Sequence, residues 1–180
     1  MAKKKSVICI AKSENQATRI VEDLRTAGFT GNDISVLFPD KEGTRDFAHE
    51  QHTKAPEGAT TGAVSGGVLG GVLGWLAGIG TLAIPGLGPF IAAGPIMAAL
   101  SGAAVGATAL GLAGALVGWG FPEYEAKRYE GKIRGGNILI AVHTDDREQV
   151  KRAKDIFERG GAEDISTTGE AGVSGEARAY

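Results

Sequence analysis

The stretch NILIAVHTDDREQVKRAKDIFERGGAEDIS, residues 137–166, decides the fold, because residues 6–38 repeat its order. NILIAV is a β-branched run of strand length. Asp145, with Glu148 three residues on, starts a helix; Val150, Ala153, Ile156 and Phe157 give it one apolar face, and Gly160 with Gly161 ends it. Asp164-Ile165-Ser166 then opens a second strand. In the N-terminal unit SVICIA is the strand, Ser13 and Gln16 make a capping-box start, and Ala17, Ile20, Val21 and Leu24 recur at helical spacing. Ala27 and Gly28 stop that helix, and DISVLF begins with the same tripeptide, Asp33-Ile34-Ser35. Two βαβ units in matching order predict an α+β fold: a ferredoxin-like sandwich, an antiparallel sheet of four strands with two helices on one face.

The halves are separated by residues 58–122, in which no Asp, Glu, Lys, Arg or His occurs. A solvated linker does not have this composition. Here Gly62, Gly66, Gly70, Gly74 and Gly78 recur at every fourth residue, and Gly94, Gly102, Gly106, Gly114 and Gly118 continue the device in a second arm. Glycine costs a water-exposed helix about 1 kcal/mol against alanine, so its helical spacing needs a return. Small residues at that spacing let helix backbones approach where no hydrophobic force joins them. Residues 59–80 and 95–120 are each near the roughly 20 residues that cross a bilayer, and Pro85, Pro89 and Pro95 interrupt the connector. The reading is a glycine-rich apolar helical hairpin inserted between the two halves of the sandwich, with an uncharged tip. Insertion gains only about 0.3–0.6 kcal/mol per strong apolar residue, so the hairpin needs packing, and a homo-oligomer follows.

The domain plan is therefore a first βαβ half over 1–40, a polar linker over 41–57, and the hairpin over 58–122. A connecting helix and the second half fill 123–168, and a small polar tail, expected to be mobile, spans 169–180. Arg45 and Lys54 precede the hairpin while Lys127, Arg128, Lys132 and Arg134 follow it, which places both ends on the cytoplasmic side of a membrane. PEYEAKRYEGKIRGG, residues 122–136, reads as a short amphipathic helix at a head-group surface or in solvent.

Signals for chemistry are sparse. His49 and His52 in HEQH are three apart, not the four of a zinc helix, and lack a third ligand at a persuasive spacing. His143 beside Asp145 and Asp146 reads as a strand-end histidine next to a helix cap, and Cys9 as a core residue. Gly86-Leu87-Gly88 runs into Pro89 and lacks the Gly-Lys-Ser/Thr of a phosphate loop. No catalytic, cofactor or metal residue is therefore assigned. The net charge of −2 supplies no field for nucleic acid, and Lys3, Lys4 and Lys5 read as a solvated terminus.

With VICIA and DISVLFPD in the first half, IPGLGPFIAAGP in the hairpin and ILIAVHTDD in the returning strand, the chain resembles the bacterial general stress proteins of the heat-induced YflT type and related glycine-zipper proteins. The resemblance runs to about residue 168. It implies a stress-associated bacterial protein without an assigned catalytic activity, and it supplies no catalytic residues. The leading expectation is a non-enzymatic homo-oligomer at the bacterial inner membrane, its partners being lipid and further copies of itself, with no small-molecule substrate identified. The alternatives are a soluble cytoplasmic shell or filament with the hairpins buried between subunits, and a regulatory module for a small ligand.

Overall fold

The structure, a computed structural model, describes residues 5–39, 80–84, 88–96 and 111–169. The first unit folds as β1 (Lys5–Ala11), α1 (Glu14–Thr26) and β2 (Ile34–Pro39). Two further strands follow, β3 (Gly80–Ile84) and β4 (Gly88–Ala93), then helices α2 (Gly111–Gly118) and α3 (Glu123–Arg134). The second unit is β5 (Ile138–Thr144), α4 (Arg147–Arg159) and β6 (Glu163–Gly169). All described strand pairs are antiparallel, in the order β3-β4-β2-β5-β1-β6, so the fold is α+β around one six-stranded sheet.

Local signals in both units act as the residue pattern requires. Ser13 Oγ accepts from Gln16 N at 3.3 Å, and the Gln16 carboxamide returns a bond to Lys12 N at 2.8 Å, one residue before the cap. The same carboxamide donates to the Gly160 and Gly161 carbonyls, tying the start of α1 to the end of α4. Helix α4 is capped by Asp146, not Asp145: the Asp146 carboxylate accepts from Glu148 N at 2.8 Å, while Thr144 Oγ1 holds Asp146 N. Gly28 and Gly161, both at positive φ, close α1 and α4 with the double backbone bond that lets a chain turn out of a helix.

Alternation along the strands produces two cores. Val7, Cys9, Ile34, Val36, Ile138, Ile140 and Val142 face α1 and α4 with Ile20, Leu24, Ile156 and Phe157. Ile8, Ile10, Leu37, Leu139 and Ala141 face the other way, against Phe90, Ile96, Leu112, Leu116, Trp119, Tyr129 and Ile133. Helices therefore cover both faces, where the sequence reading covers one. Residues 123–134 form the short amphipathic helix expected there, and α3 lays its apolar face, Ala126, Tyr129 and Ile133, on the sheet. Gly169, read as the start of a mobile tail, pairs with Lys5 of β1 beside Thr168 and Thr167.

The connector of the expected hairpin is also different. Residues read as its apolar tip form β3 and β4, and β4 adds to the edge of β2. Asp33 O accepts from His143 N, so the odd residues of β2 turn to β5 and Val36 and Phe38 turn to β4. Their partners Ala93 and Ile91 bond β2, which leaves Gly88, Phe90 and Ala92 to bond β3. Pro89 thus occupies a position that owes β3 no N–H, and a residue that ends helices is accommodated in a strand. Gly94, at φ +83, closes the approach: a Cβ there would lie 1.9 Å from the Ile34 carbonyl oxygen. The remainder of the two arms, 58–79 and 97–110, lies outside the described residues, as does the linker 41–57. Gly111, the first residue of α2, adopts φ +61. Among the described residues no helix is long and apolar enough to cross a membrane.

Candidate functional site

The second face of the sheet carries a polar cluster inside its apolar core. Ser6 on β1, Ser35 on β2 and His143 on β5 lie side by side, with His143 paired to Ser6 in the strand register. Ser35 Oγ is 2.7 Å from His143 Nε2, and Ser6 Oγ is 3.0 Å from Nδ1. Ile96 N donates to Ser35 Oγ at 2.9 Å, and the Trp119 ring lies 5.1 Å from the imidazole. The cluster therefore joins three strands to Ile96, which follows β4, and to Trp119, which follows α2. The Ser35–His143 distance suits a nucleophile and its base. Ser35 is fully buried and already bonded to Ile96 N, so the contact serves as a structural tie.

Beside this cluster a cavity of about 330 Å³ opens at the end of β5, lined by Asn32, Asp33, Pro95, His143, Thr144 and Asp145, with Gln149 from α4. Asp33 shapes one wall: its carboxylate accepts from Thr30 N and Thr30 Oγ1, fixing the turn into β2. Thr144 Oγ1 donates to Gln149 Oε1, which fixes the opposite wall. Most of the lining is polar, and the carboxylates favour a small ligand with donors or a positive charge.

A charged cluster clamps α3 to β6. Asp164, at φ 51 and with its side chain only 6% exposed, pairs with Arg128 and with Lys132 Nζ at 2.6 Å. The Tyr129 hydroxyl donates to the Asp164 carbonyl and meets Ser166 Oγ, each at 2.8 Å. Glu163 receives Lys12 at 2.6 Å and Lys132 at 2.9 Å, and these bonds hold its carboxyl down at about 2. Burial pushes the Tyr129 phenol and the Cys9 thiol up, the thiol strongly, which disfavours a thiolate at this core residue.

Of the glycines read as a helix-packing interface, Gly62, Gly66, Gly70, Gly74, Gly78, Gly102 and Gly106 lie outside the described residues. Gly94 is at the close approach to β2, Gly114 is half-buried and Gly118 exposed on α2, while Leu112, Ala113 and Leu116 of the same helix are buried. Glu130 of α3 accepts from Ala113 N at 3.2 Å, satisfying a free donor in the first turn of α2. His49 and His52 lie outside the described residues. The Ser6–Ser35–His143 cluster is absent from the sequence reading; its signal is a small polar residue in each of two otherwise apolar strands.

No family model, characterised protein or solved structure matches the chain.

Proposed function

We propose that this chain is a non-enzymatic, self-assembling protein in which a ferredoxin-like platform holds glycine-striped apolar segments against other copies at a membrane face. Strands β2-β5-β1-β6 with α1 and α4 are read as the ferredoxin-like part, and β3, β4, α2 and α3 as additions to it. One observation carries the proposal: residues 58–79 and 97–110 hold no ionisable group and are rooted in one sheet. The first leads into β3; the second begins after Ile96, which is buried and bonded to Ser35, and leads into α2.

Crossing a bilayer out and back takes two apolar runs of about 20 residues each. Residues 58–79 offer one such run and residues 97–110 less than one, with β3 and β4 returning to the sheet between them. The segments are accordingly read as entering one leaflet and packing through glycine faces, without a crossing. The resemblance to general stress proteins supports a role in a bacterial stress response, and the basic residues flanking the apolar region support the cytoplasmic face of the inner membrane.

A combined Gly66→Leu, Gly70→Leu, Gly74→Leu variant tests the proposal by light scattering in plain buffer and flotation with anionic vesicles. The wild type is expected to form large assemblies and float. The variant is expected to lose assembly while keeping its folded circular dichroism. A wild type that stays a monomer and does not float overturns the reading. Burial of Leu112 and Leu116 within the protein favours a second reading, a soluble assembly with the segments between subunits; a monodisperse large particle that does not float would support it. The cavity beside His143 favours a third, a regulatory site for a small cationic or donor-rich ligand, which predicts a rise in thermal midpoint with such a ligand.

A further inference from the structure

Among the described residues the sheet ends at β3 and β6, and the two edges are built differently. At β6 the register shifts opposite Ile8 and Ile10, Asp164 takes a positive φ, and Glu163 holds Lys12 and Lys132. A bulge and charges of this kind discourage the addition of another strand. At β3 the run Gly80-Thr81-Leu82-Ala83-Ile84 carries no charge and no proline. The register of β4 assigns the backbone groups of Gly80, Leu82 and Ile84 to the β3–β4 ladder, so Thr81 and Ala83 turn their N–H and C=O groups outward.

We infer that β3 is the seam of a two-fold dimer, pairing antiparallel with β3 of a second copy so that the two sheets become one. With Leu82 on the axis, Thr81 of each copy opposes Ala83 of the other, and every outward N–H meets an outward C=O. An edge that satisfies itself in this way makes an isologous, closed contact. The chain's charged and C-terminal segments are poorer occupants. Residues 40–57 carry Asp40, Lys41, Glu42, Arg45, Asp46, Glu50, Lys54 and Glu57, and residues 170–180 start from β6, at the opposite edge of the sheet. The inference does not rest on the glycine-striped segments.

Hydrogen exchange on the full chain in mild detergent, read at single amides over a range of protein concentrations, tests it. The Thr81 and Ala83 amides are expected to be protected at high concentration and to exchange about tenfold faster on dilution, while Leu82 and Ile84 do not change. Ala83→Lys should abolish protection at both amides, and Thr81→Pro, which leaves no amide at 81, should abolish it at Ala83; in each variant the β1–β5 amides stay protected. Free exchange of Thr81 and Ala83 at every concentration overturns the dimer. Protection that ignores dilution also overturns it, since the chain's own residues would then cover the edge. Either failure leaves the glycine-based assembly standing, because light scattering of the Gly66, Gly70, Gly74 variant reads that separately.

Discussion

Ser35 and His143 meet at 2.7 Å across β2 and β5, in the core face where the glycine-rich region joins the sheet. Ser35→Ala removes a partner of the imidazole and the acceptor of Ile96 N, both of which are buried. A buried polar group that loses its partner costs about 1–3 kcal/mol. The variant is expected to lose that much in urea denaturation. Its loss should appear as faster exchange at Ile96 before the β1–β5 ladder opens. A variant as stable as the wild type would remove the cluster from the list of ties holding the domain together.

Gly94→Ala addresses the other fastening of β4. The added carbon would lie 1.9 Å from the Ile34 carbonyl oxygen, at a φ of +83 that side chains other than glycine rarely adopt. Backbone strain of this sort costs about 1–3 kcal/mol before the clash is counted. The expected outcome is detachment of β3 and β4 from β2, seen as loss of amide protection at Ile91 and Ala93 with α1, α4, β1 and β5 intact. Unchanged protection at those two amides would show that the approach of β4 to β2 is looser than the register requires.

The parts legible in the sequence are those whose signals are local. Ser13, Gln16 and the spacing Ala17, Ile20, Val21, Leu24 specify α1 without reference to the rest of the chain, and α4 follows from the same logic with its cap displaced by one residue. β3 and β4 are not legible because Pro85, Pro89 and the glycines signal interruption, and only the register with β2 makes Pro89 acceptable in a strand. In α3, the many charges conceal Ala126, Tyr129 and Ile133, whose burial depends on a sheet face assembled from distant segments. The serine–histidine cluster has the same cause: Ser6, Ser35 and His143 are remote in the chain and adjacent only after β1, β2 and β5 pair. The shared Asp-Ile-Ser marks a strand entry twice but with different chemistry, Asp33 fixing a turn through Thr30 and Asp164 receiving Arg128 and Lys132.

Acid should loosen the β6 edge. Lys12 and then Lys132 donate to Glu163 and hold its carboxyl at about 2, below its ordinary value of 4.5. A carboxylate depressed in the folded state contributes stability above its unfolded value, and that contribution is lost as pH falls toward the folded one. The window is therefore about pH 4.5 down to about 2, and added salt should shrink the effect because the pair is solvent-exposed. Glu163→Gln should flatten the dependence of denaturation midpoint on pH in that interval and leave the midpoint near pH 7 slightly lower. An identical acid profile in the variant would assign the loss to other carboxylates.

Gly118→Ala separates the stability of the domain from its assembly. Gly118 is exposed on α2, and a Cβ there meets nothing within 4 Å. In a single folded chain alanine is the better helix former, so the variant should be as stable as the wild type or gain up to about 1 kcal/mol in detergent, which separates the glycine faces of different copies. In an array of closely packed glycine faces the same methyl holds backbones apart, so the assembled fraction in plain buffer should fall. The two measurements are expected to move in opposite directions. If stability rises and the assembled fraction does not change, the face of α2 bearing Gly118 takes no part in the packing, and the contact between copies must then be made by segment 58–79 or by the β3 edge.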